Sequence, residues 1–227
     1  MDTGKNFKIN SRESEPKKIP VRQKKNSDNW KGQLFAKVFL TVILALGGYL
    51  YANFDINFFR ERGEAVDQLN GVKVYYNGWA SNVSGRHLSK NGYNYGLKWQ
   101  CVEYVKRYYY TELFHSMPDT YGHAKDFFDA NLADGQLNTL KNLTQYSNPS
   151  ISKPEVNDIL VLGASYFNEF GHVAIISNVD DYEIEIIQQN PGFMMKTRET
   201  FSLRKRKGKW FINEERVLGW LRKKKTI

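Results

Sequence analysis

Leu34 to Ala52 is a nearly unbroken run of apolar and small residues, interrupted by the charge of Lys37 and the hydroxyl of Thr41. A helix needs roughly 20 such residues to cross the hydrocarbon core of a bilayer. A core helix of a globular domain would be shorter, or striped with polar residues. Lys37 is near enough to one end to snorkel to the interface. The segment before the run is basic, with Lys5, Lys8, Arg12, Lys17, Lys18, Arg22, Lys24, Lys25 and Lys31 against Asp2, Glu13, Glu15 and Asp28. Only Arg60 and Arg62 follow closely, so the positive-inside rule keeps the N-terminus in the cytoplasm and sends the rest across. A cleaved signal peptide is the rival reading. Against it, the preceding tail is long, and Leu50-Tyr51-Ala52 lacks the small residue that cleavage favours at the third position back. The expectation is an uncleaved anchor on a single-pass protein whose main domain is periplasmic or extracellular.

Five segments follow. Residues 1–33 have few large apolar side chains to offset their ordering entropy and read as a disordered cytoplasmic tail. Residues 34–52 are the anchor, and 53–70 a juxtamembrane connector with a short helix around Glu64–Leu69. Residues 71–222 form the globular domain, and 223–227 a basic tail. The formal charge of +9 is concentrated in the N-terminal tail and in two late clusters, Arg204-Lys205-Arg206-Lys207 and Arg222-Lys223-Lys224-Lys225. Those clusters are solvated faces or contacts for phosphate-rich polymers or lipid head groups. Nucleic acid is not expected as a partner, because no recognition motif accompanies the charge.

From Gly71 the chain becomes rich in aromatics, with turns at Asn77-Gly78 and Ser84-Gly85. Val102, Val105, Tyr109 and Leu113 recur at helical spacing, predicting a helix that opens at about Cys101 and runs to about Phe114. Ala124–Leu132 reads as a shorter helix, and Asn138–Pro154 as polar loop. The period then changes to two. Ile159–Leu162, His172–Ser177, Tyr182–Gln188, Lys209–Ile212 and Val217–Leu221 read as short strands, with Val179–Tyr182 a hairpin connection. Helices first and antiparallel strands afterwards give an α+β layer with the helices on one side of the sheet.

Cys101 is the single cysteine of the chain, so it is either an inert buried thiol or a nucleophile. At the start of a helix, unpaired backbone N–H groups and the helix dipole favour the thiolate, the form that attacks. A nucleophilic cysteine also needs a base, and usually a third group to fix that base in one tautomer. Of the four histidines, His87, His115 and His123 read as solvent-facing loop residues. His172 follows Gly171 and opens a strand, where a neighbouring element can meet its imidazole. If Val179–Tyr182 turns the chain, Gln188 and Asn190 return beside His172 on one face, since side chains alternate. Either amide oxygen can accept a ring proton, or both amides can serve the backbone instead. No metal-ligand spacing, Gly-rich phosphate loop or G-x-S-x-G is present, so neither metal nor organic cofactor is expected.

Several linked motifs carry a resemblance: Trp99-Gln100-Cys101-Val102-Glu103-Tyr104-Val105-Lys106-Arg107, Asn157-Asp158-Ile159-Leu160, Gly171-His172-Val173-Ala174-Ile175-Ile176 and Gln188-Gln189-Asn190. In this order they are similar to the signatures of a CHAP domain, the cysteine, histidine-dependent amidohydrolase/peptidase family. The wording around Cys101 resembles most closely the amidase domain of glutathionylspermidine synthetase/amidase. The resemblance implies a papain-like α+β fold, with Cys101 as nucleophile and His172 as general base and later acid. It implies that Gln100 helps the Cys101 amide stabilise the oxyanion, and that Asp158 is structural. The family commonly carries glutamate at the position of Gln188, followed two places later by an asparagine that matches Asn190. A neutral amide can orient imidazole but cannot stabilise imidazolium by charge, so a weaker thiolate pair is expected. The implied activity is hydrolysis of an amide through a thioester, in peptidoglycan peptides given the placement beyond the membrane. The alternatives are a glutathionylspermidine-type amidase, or a wall-peptide binding module without catalysis. The sequence does not define the oligomeric state.

Overall fold

The computed structural model describes residues 1, 29–54, 59–119, 121–166, 168–192 and 195–224. Of the disordered tail expected over residues 1–33, residues 2–28 lie outside these, as do the last residues of the C-terminal basic tail, while residues 29–33 are helical rather than disordered. The chain divides into two units, residues 1–48 and 49–227.

Helix α1, Asn29–Asn53, contains the apolar run. It is longer than the expected span because Asn29–Gln33 continue the helix. Its Trp30–Asn53 stretch is long and apolar enough to cross a membrane, and its side chains are exposed. Two polar side chains are satisfied inside the helix, Thr41 Oγ1 donating to the Lys37 carbonyl and Asn53 Nδ2 to the Tyr49 carbonyl, each at 2.9 Å. Such back-bonding is how a polar group is tolerated on an apolar helix.

In the second unit, β1 (Ala65–Leu69) and β2 (Val72–Tyr75) form an antiparallel hairpin, and β3 (Arg86–Leu88) pairs with β4 (Asn94–Leu97). Helix α2 spans Cys101–Thr111, and a single 3₁₀ turn covers Ala124–Phe127. The remaining strands are β5 (Gln136–Asn138), β6 (Leu143–Ser147), β7 (Ile159–Leu162), β8 (His172–Val179), β9 (Glu183–Ile187), β10 (Arg198–Arg206), β11 (Lys209–Ile212) and β12 (Val217–Arg222). They form an eight-stranded sheet in the order β11-β10-β9-β8-β7-β12-β6-β5. Every pairing in it is antiparallel. The architecture is therefore a sheet-dominated α+β layer.

Alternation along the central strands sorts the core into two clusters. On one face Ile159, Val161, Val173, Ile175, Ile187 and Leu221 pack against Cys101, Tyr104, Val105, Tyr108 and Tyr109 of α2. On the other face Leu160, Leu162, Ala174, Ile176, Ile184, Ile186, Phe201, Leu203 and Trp220 pack on one another. Sheet curvature makes that second cluster possible. Trp210 of β11 exchanges backbone hydrogen bonds with Ser150 in the segment leaving β6. The edge of the sheet thus meets its other half, and the second face closes on itself, while β7 is buried on both sides.

Several elements differ from the sequence expectation. Residues 65–69 are a strand rather than a helix, because Asn70 (φ 48°) and Gly71 (φ 80°) make the two-residue turn that a hairpin favours. The helix expected over Ala124–Leu132 is one 3₁₀ turn that stops at Phe127. β6 lies in the segment expected to be loop. Its inward positions include the amide of Gln145, which is buried and satisfied by Asp129 and Asn138, so hydropathy does not register it. β10 carries so much exposed charge that only Phe201 and Leu203 mark its inner face. The expected strands Ile159–Leu162 and Lys209–Ile212 have the observed bounds, and the others agree to within two residues at each end.

Gly219 lets β12 sit between β6 and β7. A Cβ there would lie 2.0 Å from the Tyr146 carbonyl oxygen and 2.8 Å from the Phe128 ring. Gly219→Ala should therefore lower stability by about 2–3 kcal/mol. The measurement is a urea midpoint at unchanged slope; an unmoved midpoint would mean that β12 can draw away from β6 at no cost.

Candidate active site

Helix α2 begins abruptly. Trp99 has a positive φ of 67°, and Gln100 as N-cap is extended, with φ −84° and ψ 159°. The Tyr104 amide then bonds the Gln100 carbonyl at 3.2 Å. Cys101 is thus the first helical residue, and the earliest N–H groups of a helix have no partner within it. The backbone N–H groups of Cys101 and Val102 face the sulfur, together with that of Val173 in β8. Val173 adjoins His172, so the thiol sits where the helix start meets the head of the central strand. Cys101 is only 9% exposed, and burial pushes its thiol above the ordinary cysteine range despite the three amides. The thiolate expected from a helix N-terminus is therefore not favoured here, since desolvation outweighs the amide dipoles.

Gly171 sets the entry to His172. With φ +72°, a Cβ would fall 2.6 Å from the Leu162 carbonyl oxygen and 2.8 Å from Lys125 Cβ. His172 is itself 8% exposed. Its pKa is lowered to about 4, chiefly by burial; a hydrogen bond with the Gln188 side chain opposes the shift and the Arg216 charge adds to it. Nε2 is buried with no hydrogen-bond partner among the described residues. The bond to Gln188 therefore belongs to Nδ1. The Gln188 nitrogen is engaged elsewhere, at 3.1 Å from the Lys196 carbonyl and 3.4 Å from Glu199 Oε2, leaving Oε1 for the histidine. At neutral pH both the thiol and the imidazole are uncharged.

Asn190 does not join Gln188 on one face. Its φ of 55° ends the strand alternation, and its Nδ2 donates to Gln100 Oε1 at 2.7 Å and to the Ala80 carbonyl at 3.0 Å. Gln100 in turn gives its amide hydrogens to the carbonyls of Ala80 (3.1 Å) and Asn82 (2.8 Å). Its side chain is thus committed to the loop before β3. Asp158 accepts two hydrogen bonds from Arg222 and one from the Glu155 amide, clamping the entry to β7.

Sequence reasoning missed a carboxylate at the centre of this region. Glu103, two residues after the cysteine, has no exposed surface. It accepts from Arg107 Nε at 2.5 Å and from Gln189 Nε2 at 2.7 Å, and pairs with His87 Nδ1 at 2.7 Å. Burial acts to raise its pKa, but the hydrogen bonds from His87, Arg107 and Gln189 outweigh it and hold the group below the usual glutamate range. Gln189 also bonds the Gln100 carbonyl (2.9 Å) and accepts from the Tyr75 amide (2.8 Å). Glutamate and arginine four apart on an apolar helix was the available signal. Two histidines expected to face solvent have partners within the fold. His87 is tied to Glu103, and His115 is 7% exposed with Nε2 at 2.9 Å from the Lys141 carbonyl.

Comparison with known proteins finds relatives of this part of the chain. The family model of the CHAP domain matches residues 90–190, which include Cys101, Glu103, His172, Gln188 and Asn190. A glutathionylspermidine synthase of Crithidia fasciculata is 29% identical over 144 residues, covering 56% of this chain and 19% of the relative. The chain thus spans about a fifth of the length of that curated relative. Among solved structures, Ly7917 is 28% identical over 33% of this chain and 30% of its own, at a TM-score of 0.24. A structure of Ly7917 with the hydrolyzing product of MDP is 27% identical at the same TM-score of 0.24. Residues 90–190 of the chain are accordingly similar to the CHAP domain.

Proposed function

We propose that the protein is a membrane-anchored cysteine amidohydrolase that cleaves amide bonds of cell-wall peptides through a thioester at Cys101. The carrying observation is the meeting of Cys101 with the head of β8, where Val173 N–H reaches the sulfur and the adjacent His172 has one ring nitrogen bonded and the other unpartnered.

The chemistry starts from neutral groups. Nε2 of His172 removes the thiol proton as sulfur attacks the amide carbonyl, so the ion pair forms during the step rather than before it. Charge developing on the carbonyl oxygen is met by the N–H groups of Cys101 and Val102. Gln100 supports them indirectly, since its carbonyl and side chain tie the helix start to Gln189, Asn190 and the Ala80–Asn82 loop. The imidazolium is held through Nδ1–H by Gln188 Oε1, and Nε2 then returns the proton to the departing amine. Water, activated by the same nitrogen, hydrolyses the thioester to the acid. Wall peptide is the proposed substrate because α1 as an anchor, with the N-terminus in the cytoplasm, would hold the domain where that polymer is found. A second reading, hydrolysis of a glutathione–polyamine amide, is favoured by the match to the glutathionylspermidine synthase.

Digestion of purified peptidoglycan by the full chain, with products identified by mass, should release newly formed carboxyl ends. Cys101→Ala should remove all turnover while leaving the fold intact, and retained hydrolysis in that variant would end the proposal. Glutathionylspermidine offered in parallel separates the two substrates.

The neutral imidazole has a consequence for folding. Its pKa is about 4 in the folded chain against 6.5 for an ordinary histidine. Between those values the unfolded chain binds a proton that the folded chain does not, so stability is lost as pH falls from 6.5 toward 4. At pH 4.5 the loss from this residue is about 2–3 kcal/mol. Urea unfolding at pH 7 and pH 4.5 should show that much less acid sensitivity in His172→Gln; equal sensitivity would mean that His172 is charged in the fold.

A further inference from the structure

A primary amide is asymmetric: one end only accepts hydrogen bonds and the other only donates. The orientation of Gln188 therefore decides the tautomer of His172. With Oε1 facing the ring, Nδ1 carries the hydrogen and Nε2 keeps the lone pair that removes the thiol proton. Turned over, the NH₂ end would face Nδ1 and require its lone pair, the hydrogen would move to Nε2, and the base would be lost. Two acceptors stand behind the amide. One is the backbone carbonyl of Lys196 at 3.1 Å, and the other is Glu199 Oε2 at 3.4 Å. Glu199 reaches this place from β10, where it pairs with Ile186 of β9, two residues before Gln188. The neighbouring guanidinium of Arg198 is spent on Asp67 and Glu185. A turned amide would set Oε1 against a carbonyl oxygen and a carboxylate together.

We infer that Glu199 is a positioning residue for the hydrolysis, holding Gln188 in the one orientation that leaves Nε2 of His172 free to act as base. Glu199 also places a negative charge behind the amide, so its dipole is strengthened toward the imidazolium that forms during the reaction. The chain thus has a three-part line, His172, Gln188 and Glu199, in which the neutral member touches the base and the charge lies one residue farther out. This rests on the proposed reaction for its kinetic meaning, while the tautomer is a property of the resting protein.

Both are measured on the full chain. Two-bond ¹H–¹⁵N correlation spectra of protein labelled at histidine report which ring nitrogen is protonated, with His172→Gln supplying the assignment. The wild type should show His172 with hydrogen on Nδ1, and Glu199→Gln should show a shift toward Nε2. In the peptidoglycan assay Glu199→Gln should lower kcat about 10-fold, the scale of losing one charge-assisted hydrogen bond, at unchanged KM. In a Gln188→Glu background the effect should reverse. A carboxylate at 188 accepts from either end and needs no orienting, and Glu199 becomes a like-charged neighbour, so adding Glu199→Gln should leave kcat level or raise it. An unchanged tautomer in Glu199→Gln, or an equal loss of kcat in both backgrounds, overturns the inference. Absence of any Cys101-dependent turnover defeats the proposed reaction instead, and the tautomer shift then stands or falls by itself.

Discussion

A carboxylate with no exposed surface must be matched bond for bond, because an unpaired buried charge costs several kcal/mol. Glu103 meets that demand with an arginine, a histidine and an amide drawn from α2, β3 and the end of β9. None of the three could be moved without leaving the charge exposed to a low-dielectric interior. The result is that the first turn of α2 is fixed to the segment that follows β9, and Cys101 is two residues from the fixed point. Gln189 completes the tie by bonding the Gln100 carbonyl, so the residue before the cysteine is held by the same amide that serves the carboxylate.

Three consecutive residues after β9 divide the work that follows. Gln188 faces His172, Gln189 faces Glu103 and the Gln100 backbone, and Asn190 faces the Gln100 side chain. A strand that kept its alternation to the end could not do this, since Gln188 and Asn190 would point together and only Gln189 the other way. The positive φ at Asn190 breaks the alternation and brings the third side chain to the helix. On the opposite side of the base, the conformation of Gly171 and the lack of room for a Cβ beside Leu162 let β8 begin at His172 rather than one residue later.

Much of this was legible in the sequence. A strand opening at His172, a helix opening at Cys101 and the return of Gln188 beside the imidazole follow from periodicity and turn chemistry, and the bounds of β7 and β11 were readable from their apolar runs. What escaped reading shares a cause. β6, β10 and the Glu103 cluster are held by buried or edge-on polar groups, and a pattern based on hydropathy treats those residues as surface. Gln145 is an inward-facing side chain of a strand, yet it looks like loop because its partners, Asp129 and Asn138, are 16 and 7 residues away in the chain. His87 looked solvent-facing for the same reason, its partner Glu103 being 16 residues distant. The hairpin of β1 and β2 is different: Asn70-Gly71 is a local signal, and it outweighs the helical propensity of the residues before it.

Electrostatics in the site follow from how deeply it is closed. The amides at the start of α2 and from Val173 act to ionise the thiol, and the Gln188 oxygen acts to protonate the imidazole, yet both groups remain neutral because desolvation is the larger effect for each. A full carboxylate in direct contact with His172 would pull its pKa upward and bring a preformed ion pair closer. The amide at 188 withholds that pull and leaves orientation as its main contribution. An orienting amide is useful only if its own orientation is set, which is why the acceptors behind Gln188 carry more weight here than they would behind a symmetric carboxylate.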